Sequence, residues 1–390
     1  MISVKAALKH LFDLVVPTDI ETVPLDQACG RVLAKSVVAH RDQPPFSASA
    51  MDGYAISEQL ISAGLEFKII GESAAGHRFK GSVHAGQAVR IFTGAPIPKN
   101  ANRVIIQENV KRTGDKIVIH SADDTSGHIR VFGADFKSED EVQPPKLLTA
   151  SDIALLAAMN APQLSVHKKP VIALISTGDE LVMPGQNPSE DQIIASNTFG
   201  LAALLRAHGA VPRILPIAKD NRPSLQTALQ LAKDADLIVT IGGASVGDHD
   251  LVAKAATDMG FIQNFYKVAM RPGKPLMAGR LGNVAMIGLP GNPVSAIVCG
   301  HIFLIPMVQA MQGLEPIQRQ RFTAKLIHDL AENGPREHYM RATLRADGLH
   351  VEKHQDSALL TVLSRSNALA IRPPHAPFAA SGSSIEYISI

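Results

Sequence analysis

Two short apolar runs, each followed at once by small, hydroxyl-bearing and acidic residues, most constrain the fold of this chain. The runs span 171–175 and 237–241, and the residues after them are Ser176-Thr177-Gly178-Asp179-Glu180 and Gly242-Gly243-Ala244-Ser245-Val246-Gly247-Asp248. Runs of this length and composition are typical of buried parallel strands. In open α/β sheets, ligands bind at the carboxyl ends of the strands. The two segments therefore predict an α/β domain with a ligand site at one edge of its sheet.

Strand-like and helix-like segments continue to alternate along the middle of the chain. A helix is predicted from Ser196 to His208, a strand from Val211 to Ile217, and a further helix that opens at Pro223. This alternation is typical of a parallel sheet with helices on both faces, joined by right-handed crossovers. We therefore expect a doubly wound α/β domain here.

The regions on either side of this α/β segment have different patterns of apolar residues and glycines. Val4, Leu8, Leu11 and Val15 recur at the spacing of an amphipathic helix, which predicts a helix at the N-terminus. Between residues 44 and 132, and again after residue 316, apolar runs are short and glycines mark frequent turns. These two regions predict β-rich domains, the first of them barrel-like.

Composition argues against several classes of partner. The formal net charge is +2, tryptophan is absent and aromatic residues make up 4% of the chain, so we expect no nucleic-acid partner. Cys29 and Cys299 lie far apart, which is not the spacing of a disulfide framework and fits a reducing, cytoplasmic compartment. The apolar stretch 294–311 follows a good helix start and is interpreted as a buried core helix, so we expect no membrane association.

Two segments of the α/β region could hold an anion. Arg271-Pro272-Gly273-Lys274-Pro275 places two cations beside a glycine. That arrangement suits an oxyanion clamp; a solvated basic turn is the alternative, and the position between strands favours the clamp. Gly288-Leu289-Pro290-Gly291-Asn292-Pro293-Val294-Ser295 ends a strand and opens a helix, whose free N–H groups suit a phosphate. A plain turn with Asn292 as helix cap explains this second segment about as well.

Five carboxylates follow strand ends of the same predicted sheet: Asp179, Glu180, Asp220, Asp248 and Asp250. Carboxylates cannot bind an anion themselves, so they suggest a Mg²⁺ ion that bridges to phosphate or another oxyanion. A single residue of this kind is more often a cap or a solvated charge, and Asp220 in particular also fits a helix cap.

Two glycine turns in the β-rich region carry one notable polar group each. They are Ser49-Ala50-Met51-Asp52-Gly53-Tyr54-Ala55 and Phe92-Thr93-Gly94-Ala95-Pro96-Ile97-Pro98. Taken alone, each is an ordinary turn, and Asp52-Gly53 is a common hairpin signal.

The order of six of these motifs resembles the molybdopterin molybdenumtransferase family, which includes the E domain of gephyrin. The motifs are Ser49 to Ala55, Thr93 to Pro96, Ser176 to Glu180, Gly242 to Gly247, Pro272 to Pro275 and Gly288 to Pro293. The resemblance covers essentially the whole chain. It implies the last step of molybdenum cofactor synthesis, in which molybdate is inserted into adenylylated molybdopterin and AMP is released in a Mg²⁺-dependent reaction.

The resemblance also implies an architecture of class α/β plus β. It comprises an N-terminal helix packing on the α/β domain (1–19), a linking domain (20–43 with 140–168), the β-rich barrel-like domain (44–139), a molybdopterin-binding α/β domain (169–315) and a C-terminal β-barrel domain (316–390). Members of the family are elongated homodimers. Each active site lies between the α/β domain of one subunit and the β-rich domain of the other. The implied protein partners are the molybdopterin adenylyltransferase and molybdoenzyme acceptors or chaperones.

Site residues carry over from the family by motif. The resemblance implies catalytic roles for Asp52, Thr93, Glu180, Asp250 and Lys274. It implies Mg²⁺ ligation by Glu180, Asp220, Asp248 and Asp250. The implied substrate-binding residues are Thr177, Gly178, Asp179, Gly242, Gly243, Ser245, Gly247, Arg271, Pro290, Gly291, Asn292, Ser295, Arg341 and Ser357.

Two rival interpretations remain at this point. A molybdopterin adenylyltransferase shares the α/β fold, but the long β-rich additions and Met51-Asp52-Gly53-Tyr54 argue against it. A divergent, non-catalytic scaffold or cofactor-binding protein is the other. Its basis is the segment Val131-Phe132-Gly133-Ala134-Asp135, where the family often has a basic run and Gly-Glu-Asp.

Overall fold

The computed structural model describes residues 1–243 and 251–390. Up to residue 168, short strands predominate and two helices flank them. The elements are α1 (Val4–Phe12), β1 (Ile20–Pro24), β2 (Val32–Leu33), β3 (Val37–Val38), β4 (Ala48–Ser49), β5 (Gly53–Ile56), β6 (Glu66–Ser73), β7 (Gln87–Ile91), β8 (Arg103–Ile106), β9 (Val110–Thr113), β10 (Lys116–Ile119), β11 (Ile129–Arg130), β12 (Glu141–Val142), β13 (Lys146–Leu147), α2 (Ala150–Ala158) and β14 (Gln163–His167).

These strands form two main sheets. A four-stranded sheet has the order β1-β14-β2-β13, so it joins segments from both sides of the β-rich region. The β-rich region itself is a six-stranded sheet of order β8-β5-β7-β6-β10-β9 around a separate apolar core. Helix α1 turns its buried residues, among them Val4, Leu8 and Leu11, into the core of the α/β domain.

Helices and strands alternate in the next part of the chain, as the sequence predicts. The elements are β15 (Val171–Ser176), β16 (Leu181–Val182), β17 (Ile193–Ile194), α3 (Asn197–Ala207), β18 (Val211–Ile214), α4 (Arg222–Leu231), β19 (Leu237–Ile241), α5 (Leu251–Asp258), β20 (Phe261–Tyr266), β21 (Met270–Arg271), β22 (Met277–Leu281), β23 (Val284–Leu289), α6 (Pro293–Cys299) and α7 (Ile305–Met311).

The central sheet has helices on both faces. Its order is β18-β15-β19-β23-β22-β20, and the first four strands are parallel. Alternate residues of β15 serve opposite faces: Ile172 and Leu174 join one apolar core, whereas Ala173 and Ile175 join the other. This alternation explains why β15 and β19 are apolar except for Ser176 and Thr240, since both of their faces are buried. The doubly wound α/β fold is therefore confirmed.

One strand of this sheet, β22, differs from the parallel arrangement that the sequence predicts. It is antiparallel to both of its neighbours, β23 and β20, because a two-residue turn at Gly282-Asn283 reverses the chain between β22 and β23. Gly282 has φ +60°, which is the conformation that such hairpin turns require. The apolar stretch that the sequence assigns to a core helix runs from Pro293 to Met311, and most of its residues are buried.

The C-terminal part forms a curved sheet with one short helix. Its elements are β24 (Phe322–Lys325), β25 (Glu337–Arg345), β26 (Gly348–Val351), α8 (Leu360–Ser364), β27 (Ala368–Arg372) and β28 (Ser384–Ser389). The strand order is β21-β25-β27-β28-β24, with β26 on β25. A bridge between Leu326 and Leu349 brings β26 back towards the β24 side. β21 belongs to the middle of the chain, so its pairing with β25 ties the two domains together.

Candidate active site

The carboxyl ends of β15 and β19 lie side by side at one edge of the central sheet. Ser176 pairs with Ile241 at the end of this parallel ladder. Directly beyond it, the Thr177 N–H donates to the Ile241 carbonyl at 3.1 Å and the Gly178 N–H donates to the Ala218 carbonyl at 3.1 Å. These bonds hold the first residues after β15 at the sheet edge.

Three glycines keep side chains out of the space next to Thr177. Gly242 and Gly243 have φ of +93° and +65°, a region that side-chain-bearing residues rarely adopt. A Cβ on Gly242 would lie 2.9 Å from the Thr177 carbonyl oxygen, and one on Gly243 would lie 3.1 Å from Thr177 Oγ1. A Cβ on Gly291 would lie 3.4 Å from Gly242 Cα. We call this arrangement of Thr177, Gly242, Gly243 and Gly291 the glycine cradle.

The hydroxyl of Thr177 is buried in the cradle without a partner. Thr177 is 4% exposed, and its Oγ1 makes no hydrogen bond within the described residues. A buried hydroxyl that lacks a hydrogen bond costs free energy, and most such groups in proteins are satisfied. A ligand oxygen bound in the cradle would satisfy this one.

Acidic side chains crowd the rim of the same edge. The Asp220 N–H donates to Asp179 Oδ1 at 3.2 Å, and a Cβ on Gly178 would lie 2.4 Å from the Glu180 carboxylate. Burial and then the negative charges of Asp179 and Glu180 raise the pKa of Asp220. The cap of α4 is made by Asn221, whose Oδ1 accepts from the Ser224 N–H at 3.0 Å. The Asp220 side chain therefore does not cap α4 and is one of the acidic groups of the rim.

Four of the predicted site residues, Ser245, Gly247, Asp248 and Asp250, lie outside the described residues. Within 1–243 and 251–390, no group of three or more His, Cys, Asp or Glu side chains is arranged to hold a metal ion. Any metal bound at the described rim would therefore need oxygen ligands from elsewhere.

The turn before α6 closes another side of the cradle. Pro290 is buried, and the Gly291 carbonyl accepts from Asn197 Nδ2 at 2.6 Å. Asn292 precedes the helix but its side chain makes no capping bond; its Nδ2 donates instead to Ser357 Oγ at 3.0 Å. Ser295 is buried in the first turn of α6. Asn292 thus links this turn to the C-terminal domain.

The loop that carries Ser357 is anchored from behind by Arg341. Arg341 is 1% exposed. Its Nε donates to Gln355 Oε1 at 3.1 Å and its Nη1 donates to the Asp356 carbonyl at 2.6 Å. The Ser357 carbonyl accepts from the Val294 N–H at 3.0 Å, at the start of α6. These contacts support a positioning role for Arg341, while the direct substrate contact implied by the resemblance stays a prediction.

Positive charge gathers on β21 and its neighbours. Arg271 and Lys274 are both exposed, and Arg271 pairs with His338 across the β21–β25 ladder. Burial and then the positive charges of Arg271, Arg341 and Arg336 lower the pKa of His338 to about 4. The imidazole is therefore neutral at physiological pH, and the arginines dominate the local field.

Asp52 and Thr93 meet at one end of the β-rich sheet. Asp52 Oδ1 accepts from the Thr93 N–H at 2.7 Å and from Thr93 Oγ1 at 2.9 Å. The two residues are brought together because β5 and β7 are neighbours in the sheet. The hydrogen bonds from Thr93 and then the charge of Arg90 lower the pKa of Asp52, so it is a carboxylate at neutral pH. Both of these hydrogen bonds to Asp52 come from a residue of the same β-rich domain.

The sequence analysis missed three residues that organise these sites. Asn197 holds the Gly291 carbonyl, Gln355 holds Arg341, and Arg90 lies beside Asp52. Asn197 directly follows the predicted cap Ser196, so its position in the sequence suggested only a helix start. Gln355 and Arg90 lie in a loop and a strand without any motif that would have identified them.

Family models match three consecutive parts of the chain. The description "MoeA N-terminal region (domain I and II)" matches residues 2–160, "Probable molybdopterin binding domain" matches residues 173–310, and "MoeA C-terminal region (domain IV)" matches residues 323–390. The matches therefore span most of the chain in order.

Curated proteins and solved structures agree with these matches. A molybdopterin molybdenumtransferase of Nostoc is 34% identical over 99% of this chain and 93% of its own length. One from Haemophilus influenzae is 35% identical over 79% of this chain and 77% of its own length. The crystal structure of a molybdopterin biosynthesis moeA protein from Pyrococcus horikoshii covers 100% of both chains, with a TM-score of 0.85 and 28% identity.

Proposed function

This chain belongs to the molybdopterin molybdenumtransferase family, and from that premise we propose that it is a transferase of molybdenum cofactor biosynthesis. It inserts molybdate into adenylylated molybdopterin and releases AMP. The observation that carries the proposal is the buried Thr177 hydroxyl in the glycine cradle, which has no hydrogen-bond partner among the described residues. It supplies a donor and close backbone approach where a phosphorylated ligand binds in such sheets.

Each group of residues has a separate task in this reaction. The glycine cradle and the Thr177 hydroxyl hold phosphate oxygens of the substrate. Arg271 and Lys274 hold the molybdate oxyanion through charge-assisted hydrogen bonds. The adenylyl link breaks when an oxygen of water or of molybdate attacks the adenylyl phosphorus and the molybdopterin phosphate leaves with the bridging oxygen. The attacking oxygen stays on AMP; where it comes from molybdate, its bond to molybdenum breaks as a dithiolene sulfur takes its place. No side chain has to act as the nucleophile.

The acidic rim fits a bound Mg²⁺ ion. Carboxylate oxygens are the ligands that this ion prefers, and it commonly takes only one or two of them together with waters and substrate phosphates. Burial and then the negative charges of Asp179 and Glu180 raise the pKa of Asp220, and a cation would relieve the repulsion among these carboxylates. We assign Glu180 and Asp220 as ligands, with Asp248 and Asp250 as further ones from the undescribed segment. When bound, Mg²⁺ neutralises the pyrophosphate and polarises its phosphorus.

We propose a homodimer whose active sites combine the α/β edge of one subunit with the Asp52–Thr93 end of its partner. The Asp52–Thr93 pair supports this, because an ionised carboxylate is held in a fixed position on a domain separate from the cradle. A cytoplasmic location, with the molybdopterin adenylyltransferase as supplier and molybdoenzymes or their chaperones as recipients, completes the proposal. The free thiols of Cys29 and Cys299 fit that compartment.

Mixing two inactive variants tests the composite site. Asp52→Asn and Glu180→Gln subunits are denatured, combined in equal amounts and refolded. If each site uses Asp52 from one subunit and Glu180 from the other, each mixed dimer contains one intact site, and about a quarter of the parent activity returns. Sites contained within one subunit would give no recovery.

The activity itself is tested by identifying the products that the protein forms from adenylylated molybdopterin or from molybdopterin and ATP. The protein is incubated with adenylylated molybdopterin, molybdate and Mg²⁺, and AMP and metal-loaded cofactor are measured. Release of both supports the proposal. Formation of adenylylated product and pyrophosphate from ATP and molybdopterin would instead identify an adenylyltransferase. Tight binding without any turnover would identify a scaffold or carrier.

A further inference from the structure

Arg90, on β7, is held between two aromatic rings beside Asp52. Its guanidinium carbon lies 5.1 Å from the ring centroid of Tyr54 and 4.7 Å from that of Phe92. Cation–π contacts of this kind favour a planar guanidinium, which can stack on a ring face. The side chain is half-buried, so the two rings restrict where it can point.

The guanidinium also donates to the backbone directly after Asp52 and to the side chain of a residue that contacts the Asp52 backbone. Its Nη1 donates to the Gly53 carbonyl at 3.2 Å, and its Nη2 donates to Gln107 Oε1 at 2.7 Å. The Gln107 N–H in turn donates to the Asp52 carbonyl at 3.0 Å. One side chain thus contacts the residue that follows Asp52 and the residue that holds the Asp52 backbone.

The Asp52 carboxylate has one committed oxygen and one open oxygen. Both hydrogen bonds from Thr93 go to Oδ1. Among the described residues, none donates to Oδ2. Arg90 holds the turn through its hydrogen bonds, and Thr93 holds the carboxylate through Oδ1. The direction of Oδ2 is therefore fixed before substrate binds.

We infer that Arg90 is a positioning residue that orients the open oxygen of Asp52 towards the substrate in the composite site. This inference rests on the proposed function, in which Asp52 faces the partner subunit's α/β edge. Arg90 itself does not touch the substrate. Its hydrogen bonds to the Gly53 carbonyl and to Gln107 Oε1 come from two nitrogens of one planar guanidinium, and a lysine ammonium cannot reproduce this geometry.

A double-mutant cycle with AMP release as the readout tests this role. The variants are Arg90→Gln, Asp52→Asn and their combination, and the control is Arg112→Gln. Arg112 is an exposed arginine of the same domain whose Nε donates to the local Gly114 carbonyl at 3.0 Å. We expect Arg90→Gln to slow AMP release on the order of tenfold, and the combined variant to be no slower than Asp52→Asn alone. The control should match the parent.

Two further measurements keep the inference testable if Arg90→Gln folds poorly. Arg90→Lys, which keeps the positive charge, should also be slow. In addition, carboxyl carbon NMR should show the pKa of Asp52 rising in the Arg90 variants, because the turn no longer holds the carboxylate against its Thr93 hydrogen bonds, and staying low in Arg112→Gln. A fully active Arg90→Lys protein would overturn the inference.

The outcomes separate this inference from the proposed function. If Asp52→Asn is slow but Arg90→Gln has the parent rate, or if the two losses multiply in the combined variant, Arg90 does not act through Asp52. The proposed function then stands without this inference. If Asp52→Asn itself retains the parent rate, the inference is overturned. The proposed contribution of the Asp52–Thr93 end of the β-rich domain to the active site is overturned with it.

Discussion

Replacing Thr177 with valine should shift the stability and the ligand affinity of this protein in opposite directions. Thr177 is 4% exposed and its hydroxyl has no hydrogen-bond partner among the described residues. Leaving such a group buried costs about 1–3 kcal/mol, so the isosteric valine should leave the free protein equally stable or more stable. A hydrogen bond from this hydroxyl to a charged phosphate is worth about 1.5–3 kcal/mol. Its loss should weaken substrate binding roughly ten- to a hundredfold.

Thr240→Val is the matched control for this prediction. Thr240 is 1% exposed, lies on the neighbouring strand β19, and also has an unpartnered Oγ1 within the described residues. Its hydroxyl lies against Gly288, where an added Cβ would be 3.2 Å away, rather than in the cradle. Both variants should keep or raise their unfolding temperatures, but only Thr177→Val should bind adenylylated molybdopterin more weakly, measured by calorimetry without molybdate. Equal affinity of the Thr177→Val variant and the parent would refute the assignment of the cradle.

Three further predictions concern the charged groups. Lys274→Ala should raise the molybdate concentration for half-maximal insertion about tenfold or more while substrate binding changes little; an unchanged molybdate dependence would count against the clamp. Glu180→Gln should reduce AMP release across a Mg²⁺ titration far more than it lowers the unfolding temperature, and parent-like rates would remove Glu180 from the metal site. Because the folded pKa of Asp220 is raised, its contribution to stability falls as pH rises from its ordinary value through the folded value. Asp220→Asn should therefore stabilise the metal-free protein at neutral pH and reduce the stabilisation by added Mg²⁺, whereas an equal Mg²⁺ effect in both proteins would contradict the rim assignment.

The α/β domain could be predicted from sequence because its strands are buried on both faces. β15 and β19 are apolar except for Ser176 and Thr240, and small and polar residues follow each strand, so the sequence predicts both the buried strands and the site at their ends. The reversed direction of β22 was not predicted, because the alternation of helices and strands gives no sign of a hairpin. The signal was Gly282-Asn283, a two-residue turn that only the pairing of β22 with β23 makes evident.

Site residues that directly follow a strand could be predicted from the sequence. Site contacts between segments that are distant in the sequence could not. Thr177 and Gly242 follow adjacent strands, so their proximity follows from sheet topology. The Asn292–Ser357 hydrogen bond instead joins residues 65 positions apart in different domains. Local patterns suggested only a helix cap for Asn292. Such contacts depend on how β21 docks the C-terminal domain, which no local pattern encodes.

A single-turnover measurement of AMP and molybdenum in one sample tests the central claim most directly. The protein is mixed with a limiting amount of adenylylated molybdopterin and Mg²⁺, with or without molybdate, and both AMP and cofactor-bound molybdenum are counted over time. We expect molybdate to trigger AMP release, with one molybdenum bound per AMP, and Thr177→Val and Lys274→Ala to slow both together. AMP release without molybdenum incorporation, or intact substrate after prolonged incubation with molybdate, would contradict the account.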